Sequence, residues 1–318
     1  MTAQLLEGAT GGSLWAERYD RHLSDAFALQ DEIAEQVAAA IEPEVLKKEG
    51  QRAGARSIQN LTAWDLVRRG TWEFHKVTPA TAQIARDLFQ RSIEADSASA
   101  EGYVWRTHGQ ILAYYSADDR AKILREGLNA ARRAVQLDDK NPYSHYALAI
   151  LLNFAGQFGE AAGAAQRSVA LCPSFALGYL ALGSVRLFGG QVLDAVRALE
   201  HGLRLNPFDP QGFAWHLQLG LANYFLERLP DALEHARRAL NLRPHWGPAL
   251  MLVALCSAEL DDHDYAHEAL VEMDALADGM GGLIGTLFRH NPSWEERIRA
   301  RLEAIRAHFA NGEASLPE

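Results

Sequence analysis

The chain has 318 residues, 48% of them apolar, and 31 Lys and Arg against 41 Asp and Glu give a formal net charge of −10. An acidic balance of that size excludes nucleic acid as the main ligand, because neutralising phosphates needs a Lys/Arg surplus on some face. The length suits one extended repeat domain or two compact ones, and no window offers the roughly 20 apolar residues of a membrane span.

Residues 1–22 read as a β-hairpin. TAQLLE and SLWAERYD are β-compatible runs around the glycine-rich turn ATGGS. The start lacks the basic residues and apolar run of a signal peptide. A lone two-stranded hairpin is marginal in water and needs a sheet to join. The chain therefore reads as cut from something larger, or as completing a partner or a second copy. Residues 23–48 follow as an amphipathic helix with Phe27, Ile33, Val37 and Ile41 in its apolar stripe and Pro43 near its end. Residues 49–60 are poor in large apolar residues and read as a linker.

From 61 to 290 the sequence repeats. Four segments, EAAGAAQRSVALCPS, DAVRALEHGLRLNPF, DALEHARRALNLRPH and YAHEALVEMDAL, align on Ala161, Ala195, Ala232 and Ala266, at intervals of 34, 37 and 34. A 34-residue period is that of the helix–turn–helix tetratricopeptide repeat. Pro173, Pro207 and Pro244 end successive second helices. Tyr179, Phe213 and Leu250 put bulk near the start of the following first helices, and Leu182-Gly183 and Val253-Ala254 supply small or apolar residues further on. Bulk opposite small residues lets two helices cross closely. Upstream, two more pairs complete six repeats from about Leu61 to Gly279. Their loops look long, with Thr78-Pro79 in one and SADDRAKI in the next. GMGG, around Gly279 to Gly282, reads as a flexible break. Residues 291–318 then give a capping helix and tail, with Trp294, Ile298, Leu302, Ile305 and Phe309 on one stripe and Ser293 as its N-cap. The fold class is all-α: a right-handed tetratricopeptide-type solenoid of about six helical hairpins, a short N-terminal β-hairpin and a capping helix.

ATGGSLWAERYDRHLSDAFALQDEIAEQVAAAIEPEV, residues 9–45, resembles the junction in bacterial multidomain regulators where a TolB-like α/β domain passes into tetratricopeptide repeats. The residues that carry the resemblance are Ala9, Thr10, Gly11, Leu14, Trp15, Ala16, Glu17, Tyr19, Asp20 and Arg21, then Phe27, Leu29, Gln30, Asp31, Glu32 and Ile33, then Glu42, Pro43 and Glu44. Such proteins carry a class III adenylate or guanylate cyclase domain, or a winged-helix DNA-binding domain, at the N-terminus. This chain has neither, nor most of the TolB-like sheet. The resemblance implies a regulatory or scaffolding tail, without cyclase chemistry.

No catalytic or cofactor motif stands against that reading. There is no P-loop, no G-x-S-x-G and no H-E-x-x-H. His263 and His267, in DDHDYAHE, could share a helix face and hold a metal, but the repeat register puts Asp261 to Asp264 in an inter-helix loop, so a solvated turn is preferred and no metal is assigned. Arg132-Arg133 and Arg237-Arg238 read as paired with nearby acids, such as Glu234 with Arg238. Cys172 and Cys256 read as small buried apolar residues of a reducing, cytoplasmic compartment.

In this architecture the first helix of each repeat lines a concave groove. The candidates are Tyr143, Tyr146, Ile150 and Phe154, then Leu177, Leu180, Ser184 and Phe188, then Met251 and Leu255. The set is apolar and aromatic. Repeat domains that clamp acidic C-terminal peptides use Lys, Arg and Asn there, and those are largely missing. The expected ligand is an amphipathic helix or apolar segment of a protein partner, a fused cyclase or DNA-binding domain, or the chain's own Phe27–Val45 helix. The alternatives are a homodimer or larger scaffold assembled through the hairpin, and, less favoured, a solenoid enzyme.

Overall fold

In a computed structural model, the structure describes residues 2–6, 11–18, 41, 45, 62–76, 78–114, 119–207, 209, 211–276 and 280–311. Strands β1 (Thr2–Leu6) and β2 (Ser13–Arg18) pair antiparallel, Thr2 opposite Arg18 and Leu5 opposite Trp15, with an irregularity between Leu5 and Leu6. The amphipathic helix of 23–48 and the linker of 49–60 lie almost wholly outside the described residues.

Six helical pairs follow: α1 (Ala63–Phe74) with α2 (Pro79–Ala95), α3 (Ala100–Tyr114) with α4 (Arg120–Leu137), α5 (Pro142–Phe154) with α6 (Phe158–Leu171), α7 (Ala176–Phe188) with α8 (Val192–Leu205), α9 (Gly212–Phe225) with α10 (Leu229–Leu242), and α11 (Gly247–Glu259) with α12 (His263–Asp274). Two more helices follow among the described residues, α13 (Met280–Leu287) and α14 (Pro292–Asn311).

Local chemistry sets the helix starts. Thr62 and Asp65 form a capping box on α1, and Thr78 with Thr81 does the same on α2, where Pro79 occupies the first turn. The Asp119 carboxylate accepts the Lys122 N–H at 2.9 Å and caps the start of α4. The second half of the SADDRAKI stretch expected as loop, Arg120 to Ile123, is therefore helix, because Ala121, Lys122, Ile123 and the following Leu124 are compatible with a helix once the cap is in place. Asp262 caps α12 in the same way through the Tyr265 N–H.

The repeat frame shows most clearly at the turn inside each pair. Gly156, Gly190, Glu227 and Asp261 all have positive φ, at +72°, +84°, +61° and +61°. Their spacings of 34, 37 and 34 match those of the alanine anchors. At each turn two backbone N–H groups fold back onto the preceding helix, as Gly156 and Gln157 do onto Asn153 and Leu152 and as Glu227 and Arg228 do onto Tyr224 and Asn223. This is the Schellman arrangement. The four anchors are 0% exposed. Gly183 and Gly220 make the close crossings possible: a Cβ would stand 2.5 Å from Leu199 Cγ at the first and 2.6 Å from Leu252 Cδ2 at the second.

The chain divides into two compact units. Unit 1 comprises Met1–Leu151, Gly163–Tyr179 and Arg204–Phe208, and unit 2 comprises Leu152–Ala162, Leu180–Leu203 and Asp209–Glu318. The core of unit 1 is aromatic, built on Phe74, Phe89 and Trp105 with Val67, Val104 and Ala134. In unit 2, Trp215, Tyr224, Leu219 and Met251 are essentially unexposed, and α14 packs on α11 and α12.

Two local expectations change. GMGG does not break the chain throughout, since α13 begins at Met280. Glycine is a poor helix former, but burial of Ile284 and Phe288 at its end (2% and 0% exposed) outweighs that cost. The last helix begins at Pro292 rather than after Ser293, with the Trp294 and Glu295 N–H groups on the Asn291 carbonyl. Proline at the first helical position explains the shift.

Candidate functional site

The groove candidates fall in both units. In unit 1, Tyr146 and Ile150 are buried (2% and 4% exposed), while Tyr143 and Leu177 are half-buried. The Tyr143 ring lies 4.4 Å from Phe175, 5.7 Å from Trp105 and 5.9 Å from His108. His108 and His75 complete this aromatic cluster, which the sequence reading did not single out. The only clue would have been a Trp and a His three apart on α3. Both histidines are pushed down to about 4, chiefly by burial. His108 Nδ1 donates to the Val104 carbonyl at 2.9 Å, which makes the imidazole the neutral Nδ1–H tautomer.

In unit 2, Leu180, Ser184, Met251 and Leu255 are buried, and Phe154 and Phe188 are half-buried. Asn153 Nδ2 donates to Ser184 Oγ at 3.3 Å. The first helices α5, α7, α9 and α11 end on Phe154, Phe188, Phe225 and Glu259. Every one of these four residues meets the C-terminal segment. His290 Nε2 donates to the Phe154 carbonyl at 3.1 Å, and Asn291 Nδ2 donates to the Phe188 carbonyl at 3.2 Å. The Phe288 ring sits 6.4 Å from Phe188 and 6.1 Å from Phe225. Trp294 stacks on Phe225 with centroids 3.7 Å apart. Arg301 Nε is 3.3 Å from Glu259, which also accepts the Tyr224 hydroxyl at 2.8 Å. Burial and the Glu259 charge hold that phenol well above its ordinary range. Gly156 matters here twice: it takes the left-handed turn, and a Cβ on it would stand 2.6 Å from the His290 ring.

The capping stripe splits in two. Ile298, Leu302 and Ile305 are buried, while Trp294 and Phe309 are half-buried. Asp261 and Asp262 do form the turn before α12, but the two histidines after them pack on α14. His263 lies 4.9 Å from His308, and His267 stacks on Phe309 at 4.1 Å. Among the described residues no three ligating side chains gather to hold a metal, and no helix is long and apolar enough to cross a membrane. Glu234 pairs with Arg238 at 2.5 Å, and Arg237 lies over the Tyr265 ring at 4.9 Å. Burial pushes the Cys256 thiol up to about 12, so it stays protonated.

No protein-family model matches the sequence. Over 163 residues it is 32% identical to the Rhizobium meliloti (strain 1021) protein named "Putative adenylate cyclase 3", a stretch covering 51% of this chain and 28% of that protein. Among solved structures it is similar to a human IFIT1 dimer with m7Gppp-AAAA, with a TM-score of 0.62, 17% identity and coverage of 92% of this chain and 68% of that one. It is similar also to the APC/C hetero-tetramer Cut9–Hcn1, with a TM-score of 0.60, 17% identity and coverage of 82% and 48%. At such identities the structural likeness speaks to the fold alone. Together with the 34-residue pairing of helices, it makes this chain an all-α helical solenoid of the tetratricopeptide type.

Proposed function

We propose that the chain is a non-catalytic protein-interaction module, the cytoplasmic regulatory or scaffolding tail of a bacterial signalling protein, which takes an apolar helix on the faces of its first helices. The observation that carries this reading is the row Phe154, Phe188 and Phe225 at successive first-helix ends, where recognition of an acidic peptide would call for Lys or Arg. The match to just over a quarter of a longer cyclase-named protein supports the tail context.

Calorimetry on the full chain tests the ligand class. An amphipathic, leucine-rich helical peptide should bind at least about ten-fold more tightly than an acidic peptide with a free C-terminus, a difference of about 1.4 kcal/mol. Equal binding, or preference for the acidic peptide, would remove the reading. Tyr146 and Leu180 are buried, so alanine there would unfold rather than report. The informative substitutions are at the half-buried Phe154 and Phe188.

A further inference from the structure

Capping the last repeat requires only an apolar stripe laid on α11 and α12, and Ile298, Leu302 and Ile305 supply it. The segment before them does something else. Residues 288–294 reach back past the last repeat to Phe225, Phe188 and Phe154, contacts that span up to 136 positions in sequence. Nothing in end-capping calls for that reach.

The contacts have the form of a ligand on a surface. The last carbonyls of a helix lack an intrahelical partner, and His290 and Asn291 donate to two of them, on Phe154 and Phe188. Phe288 and Trp294 place rings against Phe188 and Phe225, and Arg301 meets the carboxylate of Glu259. The segment is anchored by the buried Phe288 ring, while His290 is exposed and Trp294 is half-buried.

We propose that the hairpin α13–α14 is an internal ligand of the first-helix ends in unit 2, and that an external partner binds there by displacing residues 288–294 with the same chemistry. That chemistry is an aromatic turn, Phe288 to Asn291, leading into an amphipathic helix with an excess of Arg. The net charge of −10 favours such a partner. The proposal rests on the first-helix faces being a binding surface, and it adds that the surface is occupied until a competitor arrives.

The probe is a fluorescein-labelled peptide of residues 284–311, titrated by anisotropy into three full-length chains: wild type, Phe288→Ala/Trp294→Ala, and that double variant with Phe225→Ala. Freeing the surface should tighten binding at least ten-fold in the double variant, and Phe225→Ala should cancel the gain. Equal affinity for wild type and double variant overturns the internal ligand. In that case loss of binding with Phe225→Ala leaves the surface reading standing, and no effect of Phe225→Ala removes both. His290→Ala/Asn291→Ala tests the same release without touching a buried ring, and should tighten binding in the same direction if the double variant folds poorly. An unchanged affinity there also overturns the proposal.

Discussion

Replacing Trp215 with Ala lowers the unfolding free energy by about 3–5 kcal/mol, the usual cost of deleting a buried aromatic side chain. Trp215 is 0% exposed and fills the start of α9. Its indole N–H donates to Asp209 Oδ2 at 3.1 Å, while Asp209 Oδ1 accepts the Gln211 N–H at 2.7 Å. Burial holds the Asp209 carboxyl above its ordinary range. Removing the indole therefore opens a cavity and leaves a half-buried carboxyl oxygen without its donor, the lost hydrogen bond being about 1 kcal/mol of that total. Trp215→Phe keeps most of the volume and loses the hydrogen bond alone, so it should cost much less. Urea unfolding followed by circular dichroism separates the two. If the Ala and Phe variants agree within about 1 kcal/mol, the packing account of α9 is wrong.

Acidification is the second large effect. His75, His108 and His216 are each depressed to about 4, in every case mainly by burial, from an ordinary value of 6.5. His216 Nδ1 also lies 3.1 Å from His235 Nδ1, so the two rings cannot both be protonated in place. A folded value below the unfolded one means that the unfolded chain binds more protons between these limits. Stability is then full above pH 6.5 and falls as the pH drops toward 4. Each histidine costs about 2 kcal/mol by pH 5 and the three together roughly 6, comparable with the whole stability of many domains. Asp209 works the other way, because a raised carboxyl favours the folded state at low pH, but it is one group against three. Helicity should collapse cooperatively between pH 5 and 4. His108→Phe should flatten the slope by at most about 1.4 kcal/mol per pH unit. Constant stability from pH 7 to 4.5 would contradict the burial of these rings.

The repeat frame was legible because it depends on local chemistry. Proline stops helices, alanine and glycine permit close crossings, and a left-handed residue closes each inner turn. Glu227 and Asp261 show the limit of that reading. They take the turn conformation that Gly156 and Gly190 take, yet Glu227 gives no sign of it, and Asp261, of a type that tolerates the left-handed region, gives only a weak one. Periodicity also marks a face without saying what covers it. It placed Leu180, Met251 and Leu255 on the groove side, where they are buried. The return of 288–294 was not legible at all, because contacts across more than 100 positions leave no periodic trace. Trp215 escaped notice for a related reason: Phe213, two residues earlier, already met the pattern of bulk near a helix start.

Hydrogen–deuterium exchange on the full chain, with and without the apolar helical peptide, tests the central claim most directly. Binding through the first helices predicts slowed exchange in the C-terminal turns of α5, α7, α9 and α11, around Phe154, Phe188, Phe225 and Glu259, with the second helices unchanged. Protection confined to the second helices, or to the β1–β2 hairpin, would contradict it.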